Sequence, residues 1–330
     1  MTDLTATAIA HPNIAFIKYW GDQDPKIHLP ANGSISMVMD CLGTKTSVTF
    51  DPDFVTDLLT INDKAASQKS LVRVQRFLQI IRDMANWQMY ARVVSENNCP
   101  MGTGIASSAS AFAALSLAAT KAIGLGLSES ELSRLARHGS GSACRSIPSG
   151  FVEWTAGEDD NTSFACSIAP PNHWELMDLV VVINKEHKKV GSVEGHRLAA
   201  TSPFQKTRVH GSPQRLDTCR QALLTKDFEK FADIVEFDSN LMHAVMMTSH
   251  PALFFWEPAS LELIKQIPYW RKKGLPVCYT LDAGPNVHVI TLSQFAEEIK
   301  ERISSIPDIL NVLCAKPGLG ARLSDRLTFC

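Results

Sequence analysis

Hydrophobic and polar positions recur in patterns that predict several strands. The segment Thr46–Phe50 alternates polar and apolar residues, which is typical of a strand with one buried face. The apolar stretch Thr7–Lys18 predicts strand structure, and the uninterrupted run Leu179–Ile183 predicts a strand buried on both faces. Two further short strands are predicted at Val277–Leu281 and Val287–Thr291.

Other segments carry apolar residues at helical spacing. Ser67–Ala85 is one such segment, and an Ala/Ser-rich helix is predicted from about Ser107 to Ala122. The next helix opens at Ser128, with Glu131 completing a capping box, and Gly139 ends it. Later helices are predicted at Ser212–Leu224, Phe228–Ala244, Pro258–Lys273 and Ser293–Ser304. This order predicts an α/β or α+β protein of two lobes, with the change near residues 180–190.

Length and charge narrow the class of protein. A chain of 330 residues has room for about two domains. Its formal net charge of −2 argues against nucleic acid or an anionic membrane as a partner, so a few local groups must hold any phosphate. The N-terminus lacks the pattern of a signal peptide, and no apolar run reaches the roughly 20 residues of a membrane span, so a cytoplasmic location is expected.

The cysteines fit the same location. None of the eight forms a C-x-x-C pair, which predicts buried, reduced thiols rather than a disulfide framework. They are Cys41, Cys99, Cys144, Cys166, Cys219, Cys278, Cys314 and Cys330.

The segment PMGTGIASSASAFAAL, Pro100–Leu115, is a candidate phosphate site. A glycine-rich turn that enters a helix leaves backbone N–H groups free at the positive end of the helix dipole. Ser107 and Ser108 would lie in the first turn, where hydroxyls reach phosphate oxygens or Mg²⁺. The segment is neither a Walker A loop nor a dinucleotide fingerprint, and a tight helix-packing loop is the alternative.

Two further groups of polar residues are candidates. In RHGSGSACRS, Arg137–Ser146, the side chains of Ser140, Ser142 and Arg145 suit a carboxylate or a phosphate, although a solvated turn is the alternative. Asp282 ends an apolar strand and is either a turn former or a catalytic base. Lys18 lies in the apolar strand predicted at Ile14–Tyr19 and either extends to the surface or faces a partner in the interior.

Taken together, these segments resemble mevalonate diphosphate decarboxylases of the galactokinase, homoserine kinase, mevalonate kinase and phosphomevalonate kinase superfamily. The matching stretches are Asn13–Gly21, Pro100–Ser108, Gly139–Ser146, Gly150–Trp154 and Asp282–Asn286. The resemblance implies an α+β, two-lobed small-molecule-kinase fold with a ribosomal-protein-like N-terminal lobe and a ferredoxin-like C-terminal lobe. It places a nucleotide-binding lobe at residues 1–183, a second lobe at residues 184–330, and the active site in the cleft between them. A homodimer is the family's usual form.

The resemblance also implies a role for each candidate residue. ATP would be bound by Ser95, Asn97, Pro100, Gly102, Gly104, Ser107 and Ser108, with Mg²⁺ near Ser107 or Ser108. The substrate would be bound by Asn13, Tyr19, Ser140, Ser142, Arg145 and Ser192. Asp282 would take the proton of the tertiary hydroxyl, Lys18 would pair with Asp282, and Arg145 would orient the carboxylate that leaves as CO₂.

The chain departs from the family at two positions that bear on the substrate. Asp22 and Val193 stand where two cations around the substrate diphosphate are expected. Each lost charge-assisted hydrogen bond is worth about 1.5–3 kcal/mol, so we expect mevalonate 5-phosphate as substrate and isopentenyl phosphate as product. Tyr19 and Ser192 would bind the phosphate, assisted by His196 or Lys188.

Three alternatives remain open from the sequence. The first is the diphosphate substrate, with Asp22 turned away and positive charge supplied by Lys26, Lys188, Lys189 or Arg197. The second is a kinase that phosphorylates the C3 hydroxyl of mevalonate and stops. The third is a non-catalytic nucleotide-binding protein.

Overall fold

The structure is a computed structural model, and it describes residues 4–98, 107–183 and 191–324. In these ranges the strands are β1 (Thr5–Ala10), β2 (Asn13–Ile17), β3 (Asp22–Asp24), β4 (Leu29–Pro30), β5 (Ser34–Val38), β6 (Thr44–Asp51), β7 (Leu58–Ile61), β8 (Lys64–Ala65), β9 (Tyr90–Asn97), β10 (Phe151–Trp154), β11 (Ala165–Ala169), β12 (Leu176–Val182), β13 (Val277–Leu281), β14 (Val287–Leu292), β15 (Asn311–Ala315) and β16 (Arg322–Leu323).

The α-helices are α1 (Gln68–Ala85), α2 (Ser107–Ala122), α3 (Glu129–Gly139), α4 (Ser192–Leu198), α5 (Gln205–His210), α6 (Ser212–Thr225), α7 (Phe228–Met247), α8 (Pro258–Lys272) and α9 (Ala296–Ser304). Short 3₁₀ helices occupy Gly141–Ser146, Ala199–Thr201 and Ser293–Phe295. The predicted helices are confirmed to within a few residues. Their ends follow local chemistry, as in α3, where Ser128 and Glu131 form the predicted capping box.

The strands form mostly antiparallel sheets, which confirms the α+β class. A six-stranded sheet has the order β16-β1-β6-β9-β7-β8, and its β7–β9 pair is parallel. Two four-stranded sheets have the orders β11-β10-β5-β2 and β13-β14-β12-β15, and β3 pairs with β4 alone.

The apolar stretch Thr7–Lys18 forms two strands rather than one. His11 and Pro12 separate β1 from β2, and the two strands belong to different sheets. Proline has no N–H for a ladder and fixes its own φ, so it suits the point where the chain changes sheet. This change leaves Asn13 at the start of β2 and Lys18 just beyond its end.

The strand β12 lies in the sheet of the later strands, where it pairs with β14 and β15. A shared core joins this sheet to β2 through α7, and the Phe16 ring of β2 packs edge-on against Phe231 of α7 at 4.9 Å. The ends of β2 and β13 therefore lie over the same helix. The domain boundary near residue 183 stays a prediction.

The thiols are only partly as expected. Cys144, Cys219 and Cys278 are buried, but Cys41 and Cys166 are exposed, so the expectation of burial is wrong for these two. None of the helices in the described ranges has the length and apolar run that a membrane crossing requires.

Candidate active site

An ion pair between a buried lysine and a partly exposed aspartate joins the ends of β2 and β13. Lys18 is 1% exposed, and its Nζ lies 2.7 Å from Oδ1 of Asp282, whose side chain is 35% exposed. Burial lowers the pKa of the Lys18 ammonium, and the Asp282 carboxylate opposes that effect. The alternative that Lys18 extends to the surface is wrong, because the Lys18 side chain is buried and pairs with Asp282.

The backbone of Lys18 is held from both sides. Its N–H donates to Oδ2 of Asp238 at 2.7 Å, and that buried carboxylate also accepts from Nε of Arg215 at 2.6 Å. Its carbonyl accepts from Nη2 of Arg208 at 2.6 Å and from Nδ2 of Asn32 at 2.9 Å. These side chains fix the point from which the lysine reaches Asp282.

None of these supporting residues was found by the sequence reasoning. A signal for one of them exists in α7, where Asp238 falls between Val235 and Met242 on the apolar face of the helix. A carboxylate on such a face needs interior partners.

A second buried group surrounds Arg145, in the 3₁₀ helix that follows α3. Its Nε donates to Oδ1 of Asn13 at 3.0 Å and its Nη1 to Oγ of Ser34 at 2.8 Å, while its guanidinium lies 5.7 Å from the Trp154 ring centroid. Nδ2 of Asn13 donates in turn to Oγ of Ser146 at 2.8 Å. These contacts fix the orientation of the Arg145 guanidinium. Burial lowers the pKa of Arg145, and Asp282 is among the groups that oppose this effect.

The 3₁₀ helix also meets the start of α2. Oγ of Ser140 lies 3.2 Å from Oγ of Ser108, and the Ser142 carbonyl accepts from Nδ2 of Asn13 at 3.1 Å. The segment predicted to bind phosphate and the segment predicted to bind carboxylate therefore adjoin. Gly139 permits this contact, because a Cβ at that position would overlap the Phe112 ring of α2.

Tyr19, the residue after Lys18, contacts two aromatic rings and one carboxylate. Its ring stacks on His196 of α4 at 4.1 Å and meets Trp154 edge-on at 4.7 Å, and its O–H donates to Asp22. Nδ1 of His196 accepts from the Gly21 N–H at 3.0 Å. Burial, followed by nearby cationic groups, lowers the pKa of His196 to about 3, so the ring is neutral at pH 7.

The surroundings of Asp22 act on its pKa in opposite directions. Burial raises the pKa of its carboxyl group, while the hydrogen bond from Tyr19 and the positive charge of Arg197 oppose this rise. Arg197 is exposed on α4, one turn beyond Val193, which is 44% exposed. Residues four apart share a helix face, so a cation remains on the face that carries Val193.

The residues predicted to bind the nucleotide are only partly described. Ser95 and Asn97 lie on β9, where Oγ of Ser95 is 3.0 Å from Oγ1 of Thr46 and the Asn97 N–H donates to Asn62 at 2.8 Å. Pro100, Gly102 and Gly104 lie outside the described residues, as do the side chains of Ser107 and Ser192. Their roles stay predictions.

No preformed metal cage is found among the residues that the structure describes. Across residues 4–98, 107–183 and 191–324, no three His, Cys, Asp or Glu side chains come together as candidate metal ligands. A divalent cation here would depend on hydroxyls and on the phosphates of a bound nucleotide.

Comparison with protein families accounts for this arrangement. The family model of the diphosphomevalonate decarboxylase-like N-terminal domain matches residues 10–165, and that of the mevalonate 5-diphosphate decarboxylase C-terminal domain matches residues 178–312. The chain belongs to the diphosphomevalonate decarboxylase family. This confirms the resemblance drawn from the motifs.

Individual relatives agree over most of their length. The diphosphomevalonate decarboxylase of Saccharomyces cerevisiae is 39% identical over 318 residues, covering 89% of this chain and 79% of the yeast protein. The human diphosphomevalonate decarboxylase is 35% identical over 315 residues, covering 88% of this chain and 78% of the human protein.

Solved structures of the family share the fold. Mevalonate diphosphate decarboxylase from Staphylococcus aureus matches with a TM-score of 0.92 and 35% identity, over 97% of this chain and 98% of that chain. A complex of MDDEF with MVAPP, AMPPCP and magnesium matches with a TM-score of 0.91 and 38% identity, over the same shares. The two-lobed fold of the family is thereby confirmed.

The comparisons overturn the expected one-phosphate substrate. The named relatives are diphosphomevalonate decarboxylases, so the conclusion drawn from Asp22 and Val193 is wrong. That conclusion counted two missing cations by position. Arg197 was named only as one of four alternative cations, and the hydrogen bond from Tyr19 to Asp22 could not be predicted; in the structure both groups stabilise the Asp22 carboxylate.

Proposed function

We propose that this chain catalyses the ATP-dependent decarboxylation of mevalonate 5-diphosphate to isopentenyl diphosphate, releasing ADP, phosphate and CO₂. The observation that carries the proposal is the Lys18–Asp282 pair beside the buried Arg145–Asn13 group, in a chain of this family. The pair suits phosphoryl transfer and the second group suits a carboxylate.

In the first step the C3 hydroxyl of the substrate attacks the γ-phosphorus of ATP and ADP leaves. Asp282 accepts the hydroxyl proton as the new P–O bond forms. Lys18 pairs with Asp282 before the step and offsets negative charge at the transferring phosphoryl group. Because Lys18 is held through its backbone as well as its ammonium, little reorganisation is needed during the step.

In the second step two bonds break: the bond between C3 and the phosphate oxygen, and the C–C bond between C2 and the carboxylate carbon. The electron pair of the C–C bond forms the new double bond, and the carboxylate leaves as CO₂. Arg145 stabilises the carboxylate before the reaction, which by itself would slow the loss of CO₂. Its benefit must therefore come from aligning the carboxylate with the leaving phosphate. Its bonds to Asn13 and Ser34 suit that role, because they hold the guanidinium in one orientation.

The diphosphate would extend past Tyr19 towards α4. There Arg197 supplies positive charge in the absence of a cation at positions 22 and 193. The Tyr19 hydroxyl donates to Asp22, so a phosphate in this region would compete with that carboxylate for the phenolic proton.

The nucleotide would lie at the start of α2. The adjacent hydroxyls of Ser108 and Ser140 are hard oxygen donors, which fit phosphate oxygens or a hydrated Mg²⁺ held mainly by the nucleotide. Bound Mg²⁺ would neutralise charge on the phosphates. The solved complex of a relative with AMPPCP and magnesium supports this assignment. A homodimer remains a prediction from the resemblance, and a cytoplasmic location remains a prediction from the N-terminal sequence and the cysteines.

The test is a product assay with ATP, Mg²⁺ and mevalonate 5-diphosphate labelled at the carboxylate carbon. We expect equal amounts of ADP, phosphate and CO₂, and we expect kcat/KM to exceed that for mevalonate 5-phosphate by about tenfold or more. Formation of ADP without CO₂ would instead indicate a kinase. A higher kcat/KM for the monophosphate would refute the proposed substrate, and Asp282→Asn serves as the inactive control.

A further inference from the structure

Helix α7 carries several buried polar side chains. Glu236, Asp238, Ser239 and His243 are all buried, although burial of a polar group is costly unless the group has an interior partner. The helix packs against both β2 and β13, the two strands whose ends carry the Lys18–Asp282 pair. Its polar side chains therefore need to be considered together with the backbone of these strands.

Both β2 and β13 lie at the edge of a four-stranded sheet. An edge strand presents backbone N–H groups that have no partner in its own sheet, and such groups need an acceptor when they are buried. The two strands also approach each other, because Oγ1 of Thr280 donates to the Ala15 carbonyl at 3.5 Å. Acceptors on α7 can therefore serve both strands at once.

Two consecutive residues of α7 supply such acceptors. Oδ2 of Asp238 accepts from the Lys18 N–H at 2.7 Å, and Oγ of Ser239 accepts from the Leu281 N–H at 3.0 Å. Successive residues of a helix point about 100° apart, so one turn of α7 can contact two different strands. The backbones of Lys18 and of Leu281, the residue before Asp282, are thus held by the same helical turn.

Two arginines hold the Asp238 carboxylate in its position. Its Oδ1 accepts from Nε of Arg215 at 2.6 Å, and Nη2 of Arg208 lies 3.8 Å from Oδ2. Nη2 of Arg215 donates in turn to the Arg208 carbonyl at 2.6 Å. Movement of this buried carboxylate would leave charges without partners, so Asp238 determines the position of the Lys18 backbone.

The distance between Lys18 and Asp282 depends on these two hydrogen bonds. Nζ of Lys18 lies 2.7 Å from Oδ1 of Asp282, although β2 and β13 belong to different sheets. Asp282 lies beyond the end of β13, and Leu281 is the last residue of that strand to pair with β14. An error of about 1 Å in a reacting group can cost on the order of 10²-fold in rate.

We propose that Asp238 and Ser239 are positioning residues, which set the separation of Lys18 and Asp282 by holding the backbone at the ends of β2 and β13. The inference rests on the proposed function, because that reaction makes Asp282 the base. It adds α7 to the elements that determine the rate, although α7 supplies no proposed substrate contact.

The kinetic test uses substitutions of both residues in the full-length chain. Ser239→Ala removes the acceptor of the Leu281 N–H, and Asp238→Asn removes the charge that pairs with Arg215. We expect kcat to fall by about tenfold in Ser239→Ala and by about 10²-fold in Asp238→Asn, with KM for ATP and mevalonate 5-diphosphate within about threefold of wild type. Ser239→Thr keeps the hydroxyl and should recover most of the loss.

The chain offers a matched control at Asp57. This buried carboxylate pairs with Arg82 through both of its oxygens and accepts from the Ala91 N–H at 2.8 Å, so it resembles Asp238 but holds a strand of another sheet. Asp57→Asn should lower the melting temperature as Asp238→Asn does, because both break a buried ion pair. Its kcat, normalised to the folded fraction, should equal that of wild type.

Several outcomes would overturn the proposal. A kcat within twofold of wild type in Ser239→Ala and Asp238→Asn would show that these hydrogen bonds do not set the rate. An equal fall in Asp57→Asn would mean that loss of any buried ion pair slows the enzyme. Equal losses in Ser239→Ala and Ser239→Thr would mean that packing alone matters. If Asp238→Asn does not fold, the two Ser239 variants decide the test.

A second measurement does not depend on activity. In the wild-type protein the amide hydrogens of Lys18 and Leu281 should be protected from exchange with solvent deuterium. Ser239→Ala should speed exchange at Leu281 by about tenfold and leave the Ala91 amide unchanged. Rapid exchange at Lys18 and Leu281 in wild type would contradict the proposal. If exchange is as expected but wild-type protein releases no CO₂, the proposed function fails while the two hydrogen bonds stand.

Discussion

The reaction centre and the phosphate end of this site are built in different ways. At the reaction centre, Lys18 and Arg145 are almost wholly buried, and each is held by several hydrogen bonds from separate elements. At the phosphate end, Arg197 and Val193 lie exposed on the short helix α4.

The difference explains why the sequence predicted the Lys18–Asp282 pair, which the structure contains, but led to the wrong substrate. A buried charge is costly without its partner, so a buried lysine requires an acid nearby. Another position in the sequence could not readily supply the same cation. An exposed charge has no such restriction, and it acts on a neighbouring phosphate from any nearby position on the surface. Comparing a sequence with a family motif position by position is therefore a better guide to the partners of buried charges than to the location of exposed ones.

The largest effect is expected at the reaction centre. Asp282→Asn removes the proton acceptor and leaves the Lys18 ammonium without its carboxylate partner. We expect kcat to fall by about 10²- to 10⁴-fold while ATP still binds, as measured by product release and by nucleotide titration. If Asp282→Asn kept more than a tenth of wild-type kcat, the activity would not depend more strongly on the reaction centre than on the phosphate end.

Gly141 lies where the two regions touch. A Cβ there would approach Cε1 of Tyr19 at 2.7 Å and its hydroxyl at 2.8 Å. Overpacking of this kind costs about 1–3 kcal/mol, so Gly141→Ala should lower kcat/KM by roughly tenfold and lower the melting temperature. The matched control is Gly126→Ala, where an added Cβ meets nothing within 4 Å and should have no effect on kcat/KM.

A smaller effect is expected from the exposed cation of α4. Arg197→Ala should raise KM for mevalonate 5-diphosphate by about 2- to 5-fold, with kcat unchanged and the effect weakened by salt. Arg302→Ala on α9 provides an exposed arginine as control. If both substitutions change KM equally, Arg197 has no specific relation to the phosphate end.

The last expected effect concerns stability at acidic pH rather than activity, and it involves one histidine from each region. The pKa values of His196 and His243 are lowered to about 3 and about 4, against 6.5 for an unperturbed histidine. Below pH 6.5 the unfolded chain binds these protons and the native protein does not, so stability is full above pH 6.5 and is lost as pH falls towards 4.

The measurement is the free energy of unfolding between pH 7 and pH 5. Each such histidine contributes a slope of up to about 1.4 kcal/mol per pH unit in this window. His243→Asn and His196→Gln should each give a flatter curve than wild type. Parallel curves for wild type and variants would show that these rings are not held neutral by the fold.

Much of the site could be predicted from the sequence because its chemistry depends on local motifs. The sequence placed Lys18 in a strand, Arg145 in the loop after a helix and Asp282 at the end of a strand, and the structure brings them within electrostatic reach of one another. The support from Asp238 and Arg208 was missed, because helices far along the chain contribute single polar residues that no short motif marks.

The amino-acid sequence by itself determined the helices and strands, the family and the residues proposed for the chemistry. Apolar periodicity, capping residues and glycine turns act over a few residues, and motif order survives without coordinates. Only the tertiary structure decided what each charge faces: Lys18 pairs with Asp282 across 264 positions, and Tyr19 donates to Asp22. The physical reason is that the effect of a charge depends on distance and burial, which the folded chain sets.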